Sequence, residues 1–97
     1  MADLRKAARG EECMIRVPGV CNGNSETTVL CHLRMSGISG AGMKSPDLLA
    51  SLGCGPCHDF VDGRSNPNNT AEYRRMLLLE GMARTQAYWI YRGFVKW

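Results

Sequence analysis

Apolar and polar positions change period several times along this chain. Between residues 3 and 10, Leu4, Ala7 and Ala8 recur at i, i+3 and i+4, while Arg5, Lys6 and Arg9 point elsewhere. That spacing predicts a short helix, which Gly10 can end. Residues 27–34 start with β-branched Thr and Val and predict a strand. Side chains alternate across a strand, so Val29, Cys31 and Leu33 share one face, and Thr28, Leu30, His32 and Arg34 the other. The first face is the expected core side. Cys31 then reads as a small buried hydrophobe.

Residues 35–45 are rich in Gly and Ser and predict a loop, with a short second strand around Ile38 or Met43. Pro46 opens a helical turn with Asp47 in its first turn and Leu48, Leu49 and Leu52 on its apolar side. Pro56 suits the first turn of a helix running to about Asp62, ended by Gly63. Residues 65–69 read as loop. A longer helix follows from an N-cap at Thr70 to about Tyr91, with Met76, Leu79, Ala83, Ala87 and Ile90 at helical spacing. Gly81 weakens its middle by about 1 kcal/mol relative to Ala. Gly93 ends it, and Phe94 and Trp97 are expected to fold back onto the body.

Two turns lie between the first helix and the strand. Val17-Pro18-Gly19-Val20 fits a type II turn, with Pro at the second position and Gly at the third. It folds Cys13 back toward Cys21. Asn22-Gly23-Asn24 makes the second turn. There is no internal repeat and no low-complexity linker, and 97 residues suit one small domain, residues 1–97.

A chain this short buries a modest core, so an added staple is expected. The five cysteines supply the candidates. No apolar stretch approaches the roughly 20 residues needed to cross a bilayer, and the N-terminus carries no apolar signal segment. A cytoplasmic location without membrane partners follows as the expectation. There, paired cysteines more often bind metal than form disulfides, and an odd count argues against a full disulfide framework. The net charge of +3 permits a nucleic-acid partner without demanding one.

Cys54-Gly55-Pro56-Cys57 is a knuckle that aims two sulfurs at one point. Cys13 and Cys21 supply two more if the Pro18-Gly19 turn closes, giving the four ligands of a structural zinc site. Seven residues separate Cys13 from Cys21, so that half of the site rests on the turn. Four free buried thiols and a Cys-x-x-Cys redox dithiol are the alternatives, as is a site in which His58 replaces one cysteine. No strand is expected directly before Cys54, so the strand–CxxC–helix order of a thioredoxin-like motif is poorly met. His58 points roughly 100° round the helix from Cys57 and shares a face with Asp62 at i+4. Asp62 could orient the ring or support a metal from behind its ligands. A lone strand histidine such as His32 is, on base expectation, a structural residue.

The order Cys, Cys, strand-borne His, acidic or amide residue, Cys-x-x-Cys-His resembles the HNH, or ββα-metal, nucleases. Many of these end in Asn-Leu-x-x-Leu-Cys-x-x-Cys-His, and this chain has Asp47-Leu48-Leu49-Ala50-Ser51-Leu52-Gly53-Cys54-Gly55-Pro56-Cys57-His58. More specifically it resembles small nucleases encoded by phages and lambdoid prophages. That likeness runs through the Leu-Arg-Lys-Ala-Ala-Arg start, the Cys-His-Leu-Arg strand, the Gly-Ile-Ser-Gly loop and Cys-His-Asp-Phe-Val-Asp-Gly-Arg.

The resemblance implies an α+β fold: a small zinc-stapled ββα-metal domain with a short β-hairpin and flanking N- and C-terminal helices. It implies a metal-dependent endonuclease that hydrolyses DNA. His32 would be the general base, and His58 would bind a catalytic Mg²⁺ or similar divalent ion. Asp47 lies closest to the place of the middle Asn, at a longer spacing, and would help hold that ion. Cys31 occupies the position where an acidic residue often precedes the first His. An imidazole suits proton abstraction from water near neutral pH, and a hard cation suits the charge on a scissile phosphate. Arg34, Lys44 and Arg64 are candidates for phosphate contacts, with Arg5, Lys6, Arg9, Arg74 and Arg75 extending the track. Contacts of that kind carry little base specificity. The competing functions are a catalytically silent zinc module that binds nucleic acid or a phage protein, and a thiol redox protein.

Overall fold

The computed structural model describes residues 3–34, 45–64 and 70–95. The Gly-rich loop with its strand near Ile38 or Met43, Lys44, the 65–69 loop and Trp97 lie outside the described residues. The order of elements is α1 (Leu4–Ala8), a 3₁₀ turn (Ser25–Thr27), β1 (Val29–His32), β2 (Ala50–Gly53), α2 (Gly55–Val61) and α3 (Ala71–Tyr91). This is a small α+β fold: an antiparallel strand pair with helices packed around it.

β1 and β2 pair in a register that sets Val29 opposite Gly53, Leu30 opposite Leu52, Cys31 opposite Ser51 and His32 opposite Ala50. The strand at Ala50–Gly53 corrects the expectation that Leu52 lies on the apolar side of a helical turn. Only Pro46–Leu49 turns, closed by Leu49 N–H donating to Pro46 O at 2.9 Å. From Ala50 the chain extends and buries all four residues.

Both faces of the pair are covered, where the sequence pattern led us to expect one. Leu30, Ala50 and Leu52 pack with Leu4 and Ala8 of α1 and with Trp89. Cys31 and Leu33 pack on the other side with Ile15, Phe60, Leu77 and Leu78. Val29, expected in the core, is 42% exposed. The outer edge of β2 is also closed. Leu52 O accepts from Met14 N–H at 2.8 Å, and Leu52 N–H donates to Thr85 Oγ1 at 2.9 Å. An open strand edge is thereby removed from solvent.

α3 buries Leu77, Leu78, Gly81, Thr85 and Trp89. Four of these follow at i, i+4, i+8 and i+12, the row along which helices pack closely. The stripe expected from apolar spacing lies elsewhere: Met76, Leu79 and Ile90 are exposed, as are Ala83 and Ala87. Close approach decides the matter. A Cβ on Gly81 would collide with Ser51 Oγ and come within 3.1 Å of Ile15 Cα. The glycine that weakens the isolated helix is what seats it on β2.

Caps and turns follow the sequence. Asp3 accepts from the amides of Arg5 and Lys6 at the start of α1, and Thr70 Oγ1 accepts from Tyr73 N–H at 3.1 Å at the start of α3. Gly19 has φ +74° and Val20 N–H reaches Val17 O at 3.1 Å, so the Pro18-Gly19 turn is present. After α3, Gly93 reverses the chain and Phe94 stacks on Trp89, with ring centroids 5.5 Å apart.

Candidate metal centre and histidine site

The Pro18-Gly19 turn brings Cys13 and Cys21 together, and the exit of β2 into α2 brings Cys54 and Cys57. The four sulfurs all lie within 4.8 Å of one another, with Cys54 Sγ 3.9 Å from Cys21 Sγ. A tetrahedral zinc with bonds of about 2.3 Å would set its sulfurs about 3.8 Å apart. The four cysteines could therefore hold a metal such as zinc. Among the described residues they are the one group of three or more His, Cys, Asp and Glu that converges in this way.

The surrounding backbone suits thiolate ligands. Arg16 has φ 56°, the one positive φ outside glycine among the described residues, and its N–H donates to Cys13 Sγ at 3.4 Å. Burial pushes the Cys13 thiol up, but amide hydrogen bonds from Arg16 and Cys54 and contacts with Cys57 and Cys21 outweigh it, holding the thiol below its ordinary value. Burial raises Cys21 and Cys57. Arg84 ties the Cys13–Cys21 segment to α3, its guanidinium donating to Met14 O at 2.8 Å and Ile15 O at 3.3 Å. Cys31 stays outside the group, and burial pushes its thiol up, as suits a small core residue.

One sequence expectation about this motif is corrected. β2 does run directly into Cys54, so the strand–CxxC–helix order is present. Cys13 and Cys21 converge on the same point, so the CxxC sulfurs have two further sulfur neighbours that a lone dithiol lacks.

The two histidines sit on different carboxylates. His32 ends β1, and its Nε2 lies 2.8 Å from Asp47 Oδ1, with the ring 26% exposed. Asp47 also receives Arg5 Nε at 3.3 Å. The His32 hydrogen bond, opposed by burial and joined by Arg5, holds the Asp47 carboxyl below its ordinary value. The Pro46–Leu49 turn delivers Asp47 here, because it folds back just before β2 pairs with β1. His58, one residue past Cys57 on α2, lies with Nε2 3.2 Å from Asp62 Oδ2. Asp62 is largely buried and also meets Arg64 at 3.3 Å and Arg34 at 3.9 Å. The carboxylate beside His58 is thus Asp62, while Asp47 is engaged with His32. Sequence spacing does not suggest the Asp47–His32 contact; only the strand register reveals it.

Arg34 leaves β1 beside His32. Arg64 is shared between Asp62 and Asp59, the latter at 3.7 Å. Among the described residues no helix is long and apolar enough to cross a membrane.

A family model described as "Putative nuclease YbcO" matches residues 2–94. The chain is 55% identical over 96 residues to "Putative nuclease YbcO" of Escherichia coli (strain K12), with 99% of each chain covered. A protein of Enterobacteria phage 82, "Putative nuclease ybcO", matches with the same 55% identity and coverage. A solved structure, "Structure of a putative bacteriophage protein from Escherichia coli str. K-12 substr. MG1655", is 49% identical with a TM-score of 0.77, covering 94% of this chain and 100% of that one.

Proposed function

The chain belongs to the YbcO family, and from that premise we propose that it is a metal-dependent endonuclease of the HNH type, hydrolysing phosphodiester bonds of DNA. The observation that carries the reading is the His32–Asp47 pair, 2.8 Å apart and partly open to solvent. With Nε2–H donated to the carboxylate, Nδ1 is left as the lone pair that takes a proton from water. Asp47 fixes the ring's orientation and favours the imidazolium that forms, the role a carboxylate plays behind other catalytic histidines. Asp47 therefore positions the base in this reading instead of holding the ion.

A divalent ion such as Mg²⁺ would be held by His58 Nε2 and Asp62, completed by water, and would supply positive charge beside the scissile phosphate. The donor set is thin: one nitrogen and one carboxylate already shared with arginines. Zinc on Cys13, Cys21, Cys54 and Cys57 has no open position and would be structural, joining the start of the chain to α2. Arg34 and Arg64 stand near the proposed ion, and Lys44 completes the set of phosphate contacts we assign.

The test is cleavage of plasmid and single-stranded DNA with Mg²⁺, Mn²⁺ or EDTA, comparing wild type with His32→Ala. Metal-dependent cutting that drops by roughly 10²–10⁴ in the variant supports the base assignment. Cutting that survives in the variant removes His32 from that role. A second reading, a catalytically silent zinc module that binds nucleic acid or a phage protein, is favoured by one observation: no three-ligand group forms around the histidines among the described residues. Absence of cutting with every metal, in protein that still holds zinc, would select it.

A further inference from the structure

His32 is the wall shared by two hollows. On one side lies a cleft of about 170 Å³ lined by His32, Arg34, Asp62, Arg74 and Arg75, with the first turn of α3 at its rim. On the other lies a hollow of about 320 Å³ lined by His32, Thr28, Val29, Leu30, Arg9 at the end of α1 and Arg5, which also reaches Asp47. Among the described residues, no other lines both.

The charge of the first cleft is one-sided. Three guanidinium groups, those of Arg34, Arg74 and Arg75, line it with one carboxylate, Asp62, which is already engaged with His58 and Arg64 and more loosely with Arg34 at 3.9 Å. Arg74 is held in place. A Cβ added at Gly63 would lie 3.3 Å from its Cζ, so the guanidinium packs over the turn that ends α2. A cation fixed before binding loses less freedom when it takes an anion. The start of a 21-residue helix adds partial positive charge at the same rim. The cleft opens to solvent and its polar lining is chiefly guanidinium, which suits a phosphate group.

We infer that one nucleic-acid strand crosses His32 with its backbone phosphates seated on both sides, one held by Arg34, Arg74 and Arg75 and the next by Arg5 and Arg9. The inference rests on the nuclease reading only in placing the scissile phosphate at His32. The ligand in both hollows is the phosphodiester backbone, so the track carries no base preference of its own.

The experiment is fluorescence anisotropy of a labelled oligothymidylate across a salt series, with zinc-loaded protein and no added Mg²⁺. The variants are Arg74→Ala/Arg75→Ala, Arg75→Ala alone and Arg9→Ala; Arg75 and Arg9 are exposed, so those two single variants remain informative if the double variant fails to fold. Each is expected to weaken binding, the double variant by roughly tenfold, and to flatten the slope of log K against log salt by about 0.7 for each phosphate left without its arginine. Arg74→Lys/Arg75→Lys should keep the slope. Unchanged affinity and slope in the alanine variants overturn the track, as does wild-type protein that binds no oligonucleotide. Binding with these slopes but no cutting by any metal leaves the track standing and removes the nuclease. Cutting with an unaltered KM and slope in the alanine variants does the reverse.

Discussion

Gly81→Ala is expected to destabilise the protein, against the rule for helix interiors. Alanine in place of glycine there contributes about 1 kcal/mol in favour of the helix. The added methyl has no room in this fold. It would meet Ser51 Oγ, whose residue is fully buried, and stand 3.2 Å from Ile15 Cγ1 and 3.1 Å from Ile15 Cα. The Ile15 backbone cannot easily retreat, since Met14 N–H is bonded to Leu52 O and Arg84 holds both Met14 O and Ile15 O. Overpacking of this kind costs about 1–3 kcal/mol, and dislodging the Ser51 hydroxyl from Leu52 O and Thr85 adds about 1–3 more. The net loss is about 1–5 kcal/mol, or at least 4 °C in Tm at roughly 4–8 °C per kcal/mol for a domain of this size. Thermal unfolding of the zinc-loaded protein by far-UV circular dichroism reads it. Ala83→Gly, on the exposed side of the same helix, isolates the propensity contribution and should lose about 1 kcal/mol. A Tm for Gly81→Ala at or above wild type would refute the close approach of α3 to β2.

Three other outcomes are expected. Thr85→Val keeps the shape but leaves Leu52 N–H without its acceptor, and should cost about 1–3 kcal/mol in urea unfolding. Cys54→Ser should lower bound zinc below one per chain and unfold the domain; a variant that stays folded with wild-type Tm would remove the metal as a staple. Asp47→Asn should lower kcat while leaving oligonucleotide affinity near wild type, and should also flatten the acid limb of stability. Because the folded-state value of this carboxyl lies below its ordinary 3.8, its contribution is complete above that value and lost as pH falls through the lowered one. Asp47 is 36% exposed, so screening keeps the difference small, and urea midpoints at pH 5 and pH 3 measure it.

The parts of the fold written in local rules were legible. The Pro18-Gly19 turn needs only a fixed φ and a residue tolerant of positive φ, and that turn was enough to pair Cys13 with Cys21. Thr70, Gly10 and Gly93 mark helix ends by the same local chemistry. β2 was not legible because Ala-Ser-Leu-Gly has no β-branched residue and no alternation; burial on both faces, which is tertiary, makes it a strand. The packed face of α3 was hidden because two of its contact residues are Gly81 and Thr85, which hydrophobic spacing ignores. One is chosen for its lack of a side chain, and the other for a hydroxyl that completes a strand edge. Asp47 was seen as a candidate, but its partner is fifteen residues away, and only the pairing of His32 with Ala50 joins them.

The chain order of these elements bears on how the protein is made. The four clustered cysteines belong to segments before α3, so synthesis reaches all of those sulfurs before the last helix. α3 then brings Arg74, Arg75 and the Thr85 hydroxyl that closes β2. A metal held by those sulfurs would need no ligand from α3, whereas the arginine-lined cleft needs that helix.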